Sequence, residues 1–174
     1  MATPPGAVKL ASELDARTRD APLGMSAAPI LFLDFDGVLH VLNCATERRF
    51  TSLPLLEDVL REFPELRIVV SSNWREAHGL DQLRSLFAPD IAARVIGVTP
   101  VLAWVAGVPH RYAECSAWLR ANAPGAKWLA IDDDPALFEP RLEQLLACDP
   151  RLGLTRDQLP ELRRRIAALC ELKN

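Results

Sequence analysis

Five short apolar runs, at residues 30–34, 66–71, 94–98, 128–132 and 145–148, alternate with longer amphipathic stretches, and this alternation narrows the fold more than any other feature of the chain. Each run is rich in Ile, Val or Leu, the pattern of strands buried on both faces. Helical spacing between and after them predicts helices over 54–63, 78–87, 112–122, 135–144 and 159–172. Strands alternating with helices build a parallel sheet covered by helices. The expected fold class is therefore α/β, a three-layer Rossmann-like domain on a five-stranded parallel sheet. With 174 residues, 49% of them hydrophobic, the chain is long enough for one domain with a sizeable core. Residues 1–28 carry Pro4, Pro5, Gly6, Pro22 and Gly24 and read as an N-terminal arm, with a helical turn or two over 8–19; residues 29–174 form the domain.

A formal net charge of −3 gives no global basic field, so long-range attraction of a nucleic acid is not expected, although a local basic groove is compatible with it. Cys44, Cys115, Cys148 and Cys170 have neither CxxC nor Cys/His spacing, which argues against a zinc site and a disulfide framework and for reduced thiols. No apolar run approaches the roughly 18 residues of a membrane span, and the first residues lack a secretory signal pattern. A soluble cytoplasmic protein, with no membrane partner, is expected.

In open α/β sheets ligands bind beyond the carboxyl ends of the strands. Three of the runs end in polar groups there: Asp34 and Asp36 after the first, Ser71, Ser72 and Asn73 after the second, and Asp132, Asp133 and Asp134 after the fourth. Asp34 and Asp36 are two apart at a strand end, so both side chains can face one pocket, and Gly37 lets the chain turn away. If Asp132 and Asp133 lie on a neighbouring strand, carboxylates converge, and like charges about 4 Å apart repel by roughly 4 kcal/mol per pair at an effective dielectric of about 20. Such a cluster requires a cation. All-oxygen ligands select a hard ion, and Mg²⁺ suits because it shares its shell with water and substrate phosphate. The plainer readings are an Asx turn for Asp34 and Asp36, helix capping for Ser71 and Ser72, and a solvated helix-start cation for Arg111. Asp134, just before Pro135, is the more natural cap of the helix expected there. His40, His78 and His110 share no metal-like spacing and receive no chemistry.

Asp34-Phe35-Asp36-Gly37-Val38-Leu39 after an apolar strand resembles motif I of the haloacid-dehalogenase-like (HAD) phosphatases. Val69-Val70-Ser71 resembles motif II, and Ala130-Ile131-Asp132-Asp133 resembles the acidic motif IV, in the family's order. The motif III cation is placed at Arg111, with His110, Arg94 and Lys127 as competitors. The resemblance implies the strand of Asp34 at the sheet centre, flanked by those ending at Ser71 and Asp132. It implies Asp34 as a nucleophile that is transiently phosphorylated and Asp36 as the acid that protonates the leaving oxygen and then activates water. Ser71 would bind phosphoryl oxygens and Arg111 would offset charge, making Asp34, Asp36, Ser71 and Arg111 the catalytic set. Mg²⁺ would be held by Asp34, the Asp36 carbonyl, Asp132 and Asp133. Ser72, Asn73 and Arg75 are candidate substrate-binding residues, with a Trp74 anchor as the plainer reading of the Trp74-Arg75 pair.

About 35 residues separate motifs I and II, and residues 72–111 are consumed by a helix, a strand and a loop, so no large cap is expected. Leu33-Asp34-Phe35-Asp36-Gly37-Val38-Leu39-His40, Val70-Ser71-Ser72-Asn73-Trp74-Arg75, Ala117-Trp118-Leu119, Ile131-Asp132-Asp133-Asp134, Asp149-Pro150 and Gly153-Leu154-Thr155 are similar to a narrower group. These are the capless phosphatase domains of Swiss Army Knife RNA repair proteins. That resemblance suggests removal of phosphate from RNA or DNA ends, with Arg48, Arg49, Arg75 and Arg111 along one rim. The competing readings are a small-metabolite or nucleotide phosphatase and a catalytically idle phosphate-binding module.

Overall fold

A computed structural model describes residues 28–170, so all but the last residue of the N-terminal arm, and the helical turn expected at 8–19, lie outside the described residues. The strands are β1 (Ile30–Leu33), β2 (Arg67–Val70), β3 (Val95–Val98), β4 (Trp128–Asp132) and β5 (Leu145–Ala147). All pairs are parallel, in the order β3-β2-β1-β4-β5, with Leu33 in register with Val70 and with Ile131. The strand preceding Asp34 is therefore central, as the motif order implies.

Alternate strand residues feed two cores. Leu31, Leu33, Ile68, Val70, Leu129 and Ile131 pack with apolar residues of helices α1 (Leu53–Arg61), α3 (Leu80–Arg84), α4 (Pro89–Ala92) and α6 (Leu159–Cys170). Ile30, Phe32, Val69 and Ala130 pack on the other face with Cys115 and Trp118 of α5 (His110–Asn122) and with Phe138. Burial on both faces explains why the strands carry no polar alternation. The layers are helix, sheet, helix. Between β1 and β2 there is only a 3₁₀ turn, Thr46–Arg48, and α1, and between β2 and β3 only α2 (Trp74–Ala77), α3 and α4, with no large cap.

Two expected helices differ. The segment 135–144 contains only the 3₁₀ turn Pro135–Leu137, capped by Asp134, whose Oδ1 accepts from the Ala136 N–H (3.0 Å). Phe138 is extended (φ −122°, ψ 166°), and Pro140 can supply no amide hydrogen and disfavours helix at Glu139. The segment 78–87 keeps only Leu80–Arg84, because His78 is extended (φ −130°, ψ 133°) and separates it from the unanticipated turn α2. The last expected helix begins where foreseen, at Leu159, and residues 171–172 lie outside the described residues. Among the described residues the four cysteines are free, and no helix is long and apolar enough to cross a membrane.

Candidate active site

One residue beyond the paired row Leu33, Val70 and Ile131 stand Asp34, Ser71 and Asp132, side by side at the carboxyl ends of the three central strands. Backbone bonds fix that row: the Asp34 N–H donates to the Ile131 carbonyl (3.1 Å) and the Ser71 N–H to the Leu33 carbonyl (2.9 Å). All three side chains are buried. Asp133 completes the set: carboxylate oxygens of Asp34, Asp132 and Asp133 lie within 4.8 Å of one another.

Burial and mutual repulsion act together on these acids. Burial, opposed first by the Arg111 guanidinium and by hydrogen bonds from Ser72 and the Phe35 N–H, raises Asp34 above the usual carboxylate range. Burial and then the Asp34 charge push Asp132 up to about 7 and Asp133 up to about 6. A group raised this way favours whatever neutralises it, a proton or a cation. Gly37 makes the arrangement geometrically feasible. Its φ is +70°, and a Cβ there would collide with the Asp133 carboxylate.

Asp36 is set apart from this cluster. Its Oδ2 accepts from the Trp74 indole N–H (2.8 Å) and its Oδ1 lies 2.9 Å from His40 Nε2, while its side chain remains 42% exposed. His40 is only 2% exposed and its Nδ1 has no hydrogen-bond partner among the described residues, so Nε2 is the ring nitrogen placed to donate. The rings of Phe50 and Trp74 pack edge-on against His40.

Arg111 is the motif III competitor that reaches the carboxylates. From the second position of α5 its Nε stands 3.5 Å from Asp132 Oδ2 and its Nη2 donates to Asn73 Oδ1 (3.3 Å). Lys127 begins at the opposite end of the sheet, its carbonyl accepting from the Ile30 N–H. Arg94 is buried and donates to the carbonyls of Leu66, Phe63 and Leu60 (3.0, 2.6 and 2.7 Å), closing the end of α1. His110 Nε2 lies 3.3 Å from Glu114 Oε1.

Arg75 does something the sequence did not reveal. Its Nε donates to the Thr99 carbonyl (3.2 Å), its Nη1 to the Ser71 and Ser72 carbonyls (3.1 and 2.8 Å), and its Nη2 to Glu114 Oε2 (2.7 Å). Four bonds to protein acceptors make it a clamp on the motif II turn. Glu114, 1% exposed, is the hub, because Oε2 also lies 3.5 Å from Arg111 Nη1 and Oε1 accepts from the Leu102 N–H (3.3 Å). Sequence reasoning missed Glu114 and His40. The i, i+3 spacing of Arg111 and Glu114 on one helix was the available signal for the former.

Three buried atoms at the centre have no hydrogen-bond partner among the described residues: Nε and Nη1 of Arg111 and Oδ2 of Asp132. The ion pairs at 3.5 Å balance their charge without a hydrogen bond, so buried donors and an acceptor keep bonding capacity that a ligand can satisfy. A hard divalent cation against the three carboxylates fits this donor set, and an anionic oxygen fits the Arg111 donors. Beside Asp36 opens a cavity of about 390 Å³ lined by Asp36, Arg49, Asn73, Trp74, Ala77 and His78.

Compared with known proteins, the sequence matches the family described as the HAD domain in Swiss Army Knife RNA repair proteins over residues 30–159. No curated protein and no solved structure matches it. The matched stretch runs from the first residue of the central strand to the start of the last helix and so contains every group just described. The chain belongs to that HAD domain family, within a superfamily of phosphatase-type hydrolases.

Proposed function

We propose that the chain is a Mg²⁺-dependent phosphomonoesterase that works through an aspartyl-phosphate at Asp34, with nucleic-acid ends as its substrate. The observation that carries this reading is that Arg111 brings two buried nitrogens without a hydrogen bond, Nε and Nη1, against a crowded carboxylate cluster around Asp34. Anion and cation sites meet at one carboxylate, which is what phosphoryl transfer to an aspartate requires.

Asp34 attacks phosphorus in line, forming the acyl-phosphate bond as the ester P–O bond breaks, and Asp36 delivers a proton to the departing oxygen. Asp36 then takes a proton from the water that attacks phosphorus, and the Asp34 carboxylate is released. One ester and one water yield one alcohol and one phosphate, and both aspartates return to their starting state. The hydroxyls of Ser71 and Ser72 and the side chains of Asn73 and Arg111 hold the phosphoryl oxygens, a reading supported by Arg75 bonding the Ser71 and Ser72 carbonyls and by the Arg111–Asn73 contact. Asp34, Asp132, Asp133 and the Asp36 carbonyl are the groups that would hold Mg²⁺, which when bound supplies charge neutralisation to the phosphoryl group.

Nucleic-acid ends are favoured by the family and by the absence of a cap large enough to enclose a small substrate. The test is phosphate release from 5′- and 3′-phosphorylated oligonucleotides, mononucleotides and sugar phosphates, with and without Mg²⁺, by wild type and Asp34→Asn. Release by wild type alone, requiring Mg²⁺ and fastest on oligonucleotides, is expected. Faster release from sugar phosphates would discard the nucleic-acid substrate, and equal release by Asp34→Asn would discard the nucleophile.

A further inference from the structure

The cavity beside Asp36 is unexplained by the chemistry at phosphorus. An acid that protonates the leaving oxygen touches it, so the rest of the leaving group extends from Asp36 into the space that Asp36 lines. That space is bounded by Arg49, Asn73, Trp74 and His78.

Arg49 is exposed, and its guanidinium lies over the Trp74 ring, 5.4 Å from the centroid. Among the described residues its side chain makes no hydrogen bond or ion pair, in contrast to Arg75 and Arg94, whose donors are spent on the protein. The backbone invests strain in this placement. Phe50, the next residue, has φ +61°, a conformation that aromatic residues rarely adopt, and its ring packs edge-on against Trp74 at 5.2 Å. Trp74 joins the two features, because its face carries Arg49 and its N–H holds Asp36. A strained loop thus presents an uncommitted cation on an aromatic floor, one residue away from the acid.

We propose that Arg49 and Trp74 form a leaving-group subsite selecting phosphomonoesters whose leaving group bears a second phosphate. The inference rests on the phosphatase reading above and deepens it. A second phosphate is the chemistry that uses five unspent guanidinium donors. It is present both in a polynucleotide, as the neighbouring phosphodiester, and in a small bisphosphate.

The test compares KM within two pairs that each differ by one phosphate: thymidine 5′-monophosphate against the 5′-phosphorylated thymidine dinucleotide, and glucose 6-phosphate against glucose 1,6-bisphosphate. In Arg49→Ala the KM of the member of a pair that carries two phosphates rises about five- to tenfold more than that of its partner. Its salt dependence falls as well. Arg49→Lys, which keeps the charge but not the planar fork, recovers part of the difference. A selective rise for the dinucleotide assigns the subsite to a polymer, and one for the bisphosphate assigns it to a small ester. An active wild type whose pairs rise equally, or not at all, in Arg49→Ala overturns the subsite alone. A wild type inactive on all four overturns the phosphatase reading and the subsite with it.

Discussion

Replacing Asp133 by Asn should make the metal-free protein more stable above neutral pH. Burial, and after it the charges of Asp34, Asp134 and Asp36, lift Asp133 from 3.8 to about 6. A rise of roughly 2 units is worth about 3 kcal/mol at about 1.36 kcal/mol per unit, which is the ceiling. An amide at the same place keeps part of the desolvation cost and solvent screens the rest, leaving about 1–2 kcal/mol, or about 3–6 °C in Tm for a chain this size. The sign follows from proton binding. The native state holds its proton to higher pH than the unfolded chain, so native stability falls as pH rises from about 4 to about 7. Asp133→Asn removes that loss, and its advantage should be absent near pH 4 and complete by pH 8. Thermal unfolding in EDTA at both pH values measures it. Adding Mg²⁺ at pH 8 should raise the wild-type Tm more than the variant's, since the variant has lost a ligand. An Asp133→Asn protein that is less stable than wild type at pH 8, or equally shifted at pH 4 and pH 8, would refute the cost of holding this charge where burial and its neighbours disfavour it.

His40→Leu removes the donor 2.9 Å from Asp36 Oδ1 and should lower kcat/KM about tenfold for alkyl phosphates. The loss should be much smaller for p-nitrophenyl phosphate, whose leaving group needs no proton, and His40→Gln, which restores an N–H, should recover part of it. Arg94→Met should cost about 2–4 kcal/mol, because three carbonyls lose a buried charged donor, as read by urea unfolding. Its kcat per folded molecule at low temperature should match wild type, since Arg94 serves the α1 end and not the carboxylates.

The parallel sheet was legible because strands buried on both faces read as uninterrupted apolar runs, and Asp34, Ser71 and Asp132 were legible because each is the polar residue that closes one. Only a 3₁₀ turn stands where a helix is expected over 135–144, because apolar spacing does not register Pro140, which lacks the amide hydrogen a helix interior needs. Arg75 looked like a free cation beside the motif II serines, yet its side chain folds back onto Ser71, Ser72, Thr99 and Glu114. Contacts of that kind join residues up to 39 apart in sequence and leave no local pattern. The Trp74 bond to Asp36 spans 38 residues and is hidden for the same reason, whereas His40 stands only four residues from Asp36 and meets it through the turn after Gly37. Motif spacing reveals which carboxylates converge at the strand ends, and only tertiary placement reveals which side chains orient them.

The most direct measurement is a rapid acid quench of the protein with a ³²P-labelled phosphomonoester and Mg²⁺, followed by proteolysis and mapping of the label. The account predicts transient label on the peptide containing Asp34, absent in Asp34→Asn. Turnover with no labelled peptide, or label on any other side chain, would contradict it.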